Sequence, residues 1–203
     1  MTQETHAEPF SVEALRKGDR AEFARLVEAY SGHVYRLALR MLNNEQDAED
    51  ILQETFLKAF RHIGSFDGRS KVSTWLYRIA TNEALMFLRR KHPDMISIDE
   101  PTDTMEAEQE PVQIMDWRSM PEEELLSSEG RAALKRAADN LPSSLKIVFL
   151  LRDVEDLSTS ETAEVLNLSE MAVKTRLSRA RFRLREQLSE YYAERIEKQD
   201  THS

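Results

Sequence analysis

The sequence predicts an all-α protein of two small helical domains joined by an acidic, proline-containing linker. Three observations carry that expectation. Four of the six prolines (Pro93, Pro101, Pro111 and Pro121) cluster in mid-chain, with none between Phe10 and His92 and none after Pro142. Proline removes a backbone donor and clashes with the preceding helical turn, so this distribution marks two helical blocks and a break between them. Charge divides the chain at the same place. Eleven acids opposed only by Arg118 give residues 94–128 a net −10, leaving +1 for the rest of a chain of net −9. Glycine is scarce, at five of 203 residues, and apolar residues recur at helical rather than alternating spacing.

The elements follow in order. Residues 1–18 form an N-terminal segment with a short helix, capped by Ser11 and stopped at Gly18. The first domain spans 19–93. Asp19 and Glu22 have the spacing of a capping box, and Phe23, Leu26, Val27, Tyr30, Val34, Leu37, Ala38 and Met41 recur behind them as one helical face. Asn43-Asn44 ends that helix. The next runs from about Gln46 to Ile63 and stops at Gly64, with Ile51, Thr55, Phe56 and Phe60 able to face inward. After the loop Ser65 to Lys71, Ser73 caps a helix that runs to Pro93.

The linker spans 94–128 and the second domain 129–190, with a tail at 191–203. Leu134, Ala138 and Leu141 suggest one helix, and Pro142 suits the first turn of the next, which holds Leu145, Val148, Phe149 and Leu151. Asp153 to Asp156 turns the chain. Ser158 and Glu161 make a second capping box, Ala163 is small enough for a close helix crossing, and Asn167 suits a turn that needs positive φ. Ser169 caps the last helix. There Val173, Leu177, Ala180 and Leu184 form a narrow apolar stripe, while Lys174, Arg176, Arg179, Arg181, Arg183 and Arg185 lie outside it. A helix with one docked face and a cationic remainder, set behind a helix and a turn, points to DNA.

Composition excludes several classes. No cysteine is present, which removes disulfides, thiolate metal sites and a cysteine nucleophile and fits a reducing cytoplasm. The N-terminal sequence has no apolar run of a signal peptide. The longest aliphatic or aromatic run, Ile147 to Leu151, is far too short to span a bilayer, so no membrane insertion is expected. No glycine-rich phosphate loop is found and no cofactor is expected.

Two further constellations stand out. Asp47, Asp50, Gln53 and Glu54 share one side of a helix. That face is either simply solvated or a docking surface; a carboxylate metal site would need histidines at offsets that His33 and His62 do not supply. Trp75, Arg78, Asn82 and Arg89 lie within about 60° of arc on another helix. They are either a core tryptophan with polar neighbours or a surface for unpaired DNA, where a base stacks on the indole and an amide reads a base edge.

Three segments carry a family resemblance: Asp47-Ala-Glu-Asp-Ile-Leu-Gln-Glu-Thr-Phe56, Ser73-Thr-Trp-Leu-Tyr-Arg-Ile-Ala-Thr-Asn82 and Ala172-Val-Lys-Thr-Arg-Leu-Ser-Arg-Ala-Arg181. In this order the chain resembles an extracytoplasmic-function sigma factor of bacterial RNA polymerase, over a σ2 domain (about 19–92) and a σ4 domain (131–188). It departs from the usual pattern at Glu170-Met171-Ala172, where a Gly-Thr pair commonly precedes the valine. Asn167 stands for a glycine and Thr162 for an aliphatic residue.

The resemblance implies a promoter-specificity subunit, not an enzyme. Asp47, Asp50, Gln53 and Glu54 would dock on the clamp helices of the polymerase β′ subunit, and σ4 would meet the β flap. Phe66, Asp67, Arg69, Ser70 and Lys71, with Trp75, Arg78, Asn82 and Arg89, would open the −10 element and hold an extruded base. Ser169, Lys174, Thr175, Ser178 and Arg179 would address −35 bases or adjacent phosphates, while Arg176, Arg181, Arg183 and Arg185 would hold phosphates or pack elsewhere, the alternative being a merely solvated basic helix. An anti-sigma factor is an implied partner. The linker is either a self-repelling spacer or a nucleic-acid mimic in the RNA exit path, anchored by Ile114, Met115 and Trp117. As a coil it spans about 35 Å and stretches to about 120 Å, against about 70 Å for two turns of DNA. Two other readings remain: a sigma-like decoy that sequesters an anti-sigma factor without binding DNA, and an ordinary helix-turn-helix repressor.

Overall fold

The computed structural model describes residues 10–91 and 128–200, with the side chains of 128, 190 and 192–200 left aside. The linker and its Ile114, Met115 and Trp117 therefore lie outside the described residues. All regular structure among those described is helical.

The first lobe is built from α1 (Val12–Arg16), α2 (Arg20–Leu42), α3 (Glu45–His62) and α4 (Val72–Lys91). Ser11 caps α1, its Oγ accepting from the Ala14 N–H, and Gly18 reverses the chain at φ +81°. Asp19 caps α2, accepting from the N–H groups of Ala21 and Glu22. The expected reciprocal box is not formed. Glu22 instead accepts from the Ser11 N–H at 2.6 Å and so ties α1 to α2.

One asparagine ends α2 and the next starts α3. Asn43 takes the left-handed conformation at φ 53°, and the Asn44 side chain accepts from the Asp47 N–H. Two adjacent asparagines thus reverse the chain with no spare residue. A 3₁₀ turn, Ile63–Ser65, follows α3 directly. α4 begins at Val72, so Ser73 lies within its first turn and does not cap it. Leu15, Leu26, Val34, Phe56, Ile63, Phe66, Val72 and Leu76 close the core of this lobe.

The second lobe contains α5 (Ser128–Asp139), α6 (Ser143–Phe149), α7 (Thr159–Leu166) and α8 (Glu170–Asp200). The helix suggested by Leu134, Ala138 and Leu141 forms as α5, which turns Ala133 and Ala137 inward and leaves Leu134 39% exposed. Pro142 occupies the N-cap position of α6, one residue before the first turn. α6 widens into a π turn, Leu150–Val154, whose first two carbonyls, of Leu150 and Leu151, accept from the N–H groups of Glu155 and Leu157. The Ser158/Glu161 box caps α7, and Asn167 ends it at φ 53°. Ser169 then accepts from the Ala172 N–H. On α8, Val173, Leu177, Ala180 and Leu184 are all buried, as their spacing predicts.

The lobes are not separate beads. α4 lies along α7, and one apolar cluster crosses the boundary, with Leu37, Met41, Tyr77 and Leu85 from the first lobe and Leu151, Leu157, Val165 and Val173 from the second. Two hydroxyls in the paired helices, Thr81 on α4 and Thr162 on α7, are buried with no hydrogen-bond partner. An unsatisfied buried hydroxyl costs about 1–3 kcal/mol. Thr162→Val keeps the shape and removes that penalty, so it is expected to stabilise the protein by about 1 kcal/mol, read as a higher urea midpoint.

Candidate polymerase and DNA interfaces

Three faces collect the residues singled out above. The first lies on α3. Asp50 and Gln53 are exposed and Glu54 is half-exposed, held loosely by Lys58 at 3.6 Å. Asp47 sits further in and pairs with Lys91 at 3.0 Å. Lys58 also reaches Glu83 at 2.6 Å, which leaves that α4 carboxylate buried but paired. Phe60 does not face inward as expected. It is 46% exposed, with its ring edge-to-face on Phe23 at 5.0 Å. Leu57 is 51% exposed beside it. The acidic face thus continues into an apolar end. Its signal was present in the spacing, since Leu57 follows Asp50 by two helical turns and Glu54 by one.

The second face is a cavity of about 420 Å³ lined by Ser65, Phe66, Asp67, Arg69, Ser70, Trp75 and Arg78 of the first lobe and Glu164 of α7. Residues of the loop and of α4 meet here. Phe66 is buried and forms the floor, with its ring centroid 5.4 Å from that of Trp75. The indole is half-buried, with its packed side in the core. Gly68, at φ +77°, lets the loop turn back. Asp67 accepts from both the N–H and the guanidinium of Arg69; these bonds hold its carboxyl below the usual carboxylate range. Arg78, Asn82 and Arg89 are exposed along α4. Lys71 is exposed too, but its ammonium lies 2.9 Å from Glu161 of α7.

The third face is the start of α8. Met171, Lys174 and Ser178 are exposed and Thr175 and Arg179 half-exposed. Two of the cations expected on phosphates are otherwise engaged. Arg176 is buried, at 6% exposure, and takes its interactions within the protein. Of the two expectations for Arg176, a phosphate ligand or a residue packed elsewhere, its burial fits the second: it lies on the flank that α8 turns toward the core. Arg181 is clamped by Asp153 through Nε at 2.9 Å and Nη2 at 2.6 Å, and that bond raises its pKa. Asp153 stands 28 residues upstream, beyond the reach of any helical wheel.

A two-lobed helical protein with an acidic α3 face, a cavity floored by aromatics and edged by Arg69 and Arg78, and a capped basic helix fits a transcription protein of the sigma class. The comparisons agree. The model of sigma-70 region 2 matches residues 26–93 and that of sigma-70 region 4 matches 131–184. The ECF RNA polymerase sigma factor SigW of Bacillus subtilis is 38% identical over 177 residues, 87% of this chain and 94% of the relative. Among solved structures, CnrH in complex with the cytosolic domain of CnrY superposes with a TM-score of 0.61 at 23% identity, covering 87% of this chain and 94% of that one. The sigma factor RpoE in complex with the anti-sigma factor NepR from Bartonella quintana gives 0.59 at 22%, covering 82% and 96%. This chain belongs to the extracytoplasmic-function group of the sigma-70 family of RNA polymerase sigma factors. It is a promoter-specificity subunit, and its family is not one of enzymes.

Proposed function

We propose that the three faces divide promoter recognition as follows. Asp50, Gln53 and Glu54, flanked by Asp47 and extended by Leu57 and Phe60, dock on the β′ clamp helices. The cavity of Phe66, Asp67, Arg69, Ser70, Trp75 and Arg78 takes a base extruded from the −10 element, with Lys71, Asn82 and Arg89 along the strand. Ser169 fixes the start of α8, from which Lys174, Thr175, Ser178 and Arg179 face the −35 major groove. The observation that carries this reading is the cavity. Six of the nine residues expected at the −10 strand line it, and an aromatic floor with two guanidiniums at its rim suits a single unstacked base.

Opening is driven by binding, because bases captured in single-stranded form offset the cost of unpairing. Residues 19–93 and 129–190 are the working domains, and the σ4 lobe also meets the β flap. The site of action is the cytoplasm. Among the described residues no helix is long and apolar enough to cross a membrane. An anti-sigma factor is a further partner, in keeping with the solved sigma factor that is held by one.

The test is reconstitution. Mixed with core polymerase, the chain should associate stably and direct transcription from a promoter that core enzyme alone ignores. A decoy would bind no DNA and direct no transcription, and a repressor would bind duplex DNA without polymerase. Within that assay, Arg179→Ala is expected to weaken −35 recognition by about 1–3 kcal/mol, measured as holoenzyme affinity for duplexes with and without the element. Equal affinities of variant and parent for the intact element would take Arg179 off the reading face.

A further inference from the structure

We propose that Met171 reads the 5-methyl group of a thymine in the −35 element. This rests on α8 being the −35 helix. Met171 is the second residue of α8 and 72% exposed, the highest value among the exposed large apolar side chains. It shares a face of about 100° of arc with Lys174, Thr175 and Ser178. The opposite stripe, Val173, Leu177, Ala180 and Leu184, is buried. Ser169 caps the helix through the Ala172 N–H, which fixes the direction in which Met171 leaves the first turn.

The N-terminal residues of a recognition helix are those that meet base edges, and the thymine methyl is the apolar mark of the major groove. The remaining exposed side chains of this face, Lys174 and Ser178, supply a cation and a hydroxyl. An unbranched, adaptable thioether completes the set where a methyl must be covered.

The test uses holoenzyme made with the full chain. Duplexes carrying a randomised −35 region are selected for binding, and each thymine of the selected element is then replaced by deoxyuridine, which lacks only the methyl. One replacement should weaken the parent about fourfold, leave Met171→Ala unaffected, and weaken Met171→Leu nearly as much as the parent. If the parent and Met171→Ala respond alike to every replacement, or the selected element holds no thymine, the assignment is overturned. If no −35 element is selected at all, the −35 role of α8 itself fails.

Discussion

Asp50→Lys combined with Glu54→Lys is expected to abolish binding to core RNA polymerase while leaving helix content unchanged. Among the described residues Asp50 makes no ion pair, and Glu54 has the long contact to Lys58 at 3.6 Å. A surface pair of that kind is worth about 0–1 kcal/mol, so the fold does not depend on either carboxylate. The docking surface does. Reversing two charges at the centre of a complementary interface places like charges together, at a cost of several kcal/mol. That corresponds to a loss of about 100-fold or more. A titration of labelled core enzyme reads it directly, with far-UV circular dichroism as the control on folding. Parental affinity in the double variant would move the docking face off α3. Leu57→Ala should weaken the same complex less, since it removes contact area without creating repulsion.

Asn82→Ala is expected to leave the closed complex nearly intact and to impair opening. Asn82 is exposed on α4, one turn beyond Arg78 and two beyond Trp75. A short amide there has little to offer stacked, paired bases. Once a base is unstacked the amide can pair with its edge, at about 1–3 kcal/mol if bidentate, or roughly 5- to 150-fold in the opening equilibrium. A pre-melted promoter should rescue the variant only in part, because it removes the unpairing cost without replacing the lost contact. Permanganate reactivity of unpaired thymines measures the open fraction. Opening equal to the parent on duplex promoter would make Asn82 a structural residue.

Local chemistry was the legible part of this chain. Ser11, Asp19, Asn43, Ser158, Asn167 and Ser169 each act within four residues of themselves, and each ends or begins a helix where its side chain and backbone preferences require. The buried stripe of α8 was legible for the same reason: a helical period is a property of one segment. What escaped were relations between segments. Arg176 looks like any other cation on the wheel until the rest of its domain is in place. Phe60 has the spacing of a core residue, yet it packs edge-to-face with Phe23 of α2 and stays 46% exposed. Asp153 and Arg181, or Glu155 and Tyr77, become neighbours only through the π turn and the lobe contact, and no single-helix pattern encodes either. That these loop and α4 residues belong together was legible through the family motif, but not the presence of Glu164 at the edge of the cavity they line.

The bond between Asp153 and Arg181 bears on how this protein responds to electrolyte. A cation that already faces an acid in its own chain has largely exchanged its solution counterions before DNA arrives, and it displaces few from the phosphates. Salt sensitivity therefore counts the free cations of α8, not the basic residues in its sequence. If all six cations between Lys174 and Arg185 faced phosphates, their contribution to the log–log slope would be about −5.4. With Arg176 and Arg181 engaged at home it is at most about −3.6. The helix most crowded with arginine is thus less governed by ionic strength than its composition implies, and more of its hold on a promoter survives in a salty cell.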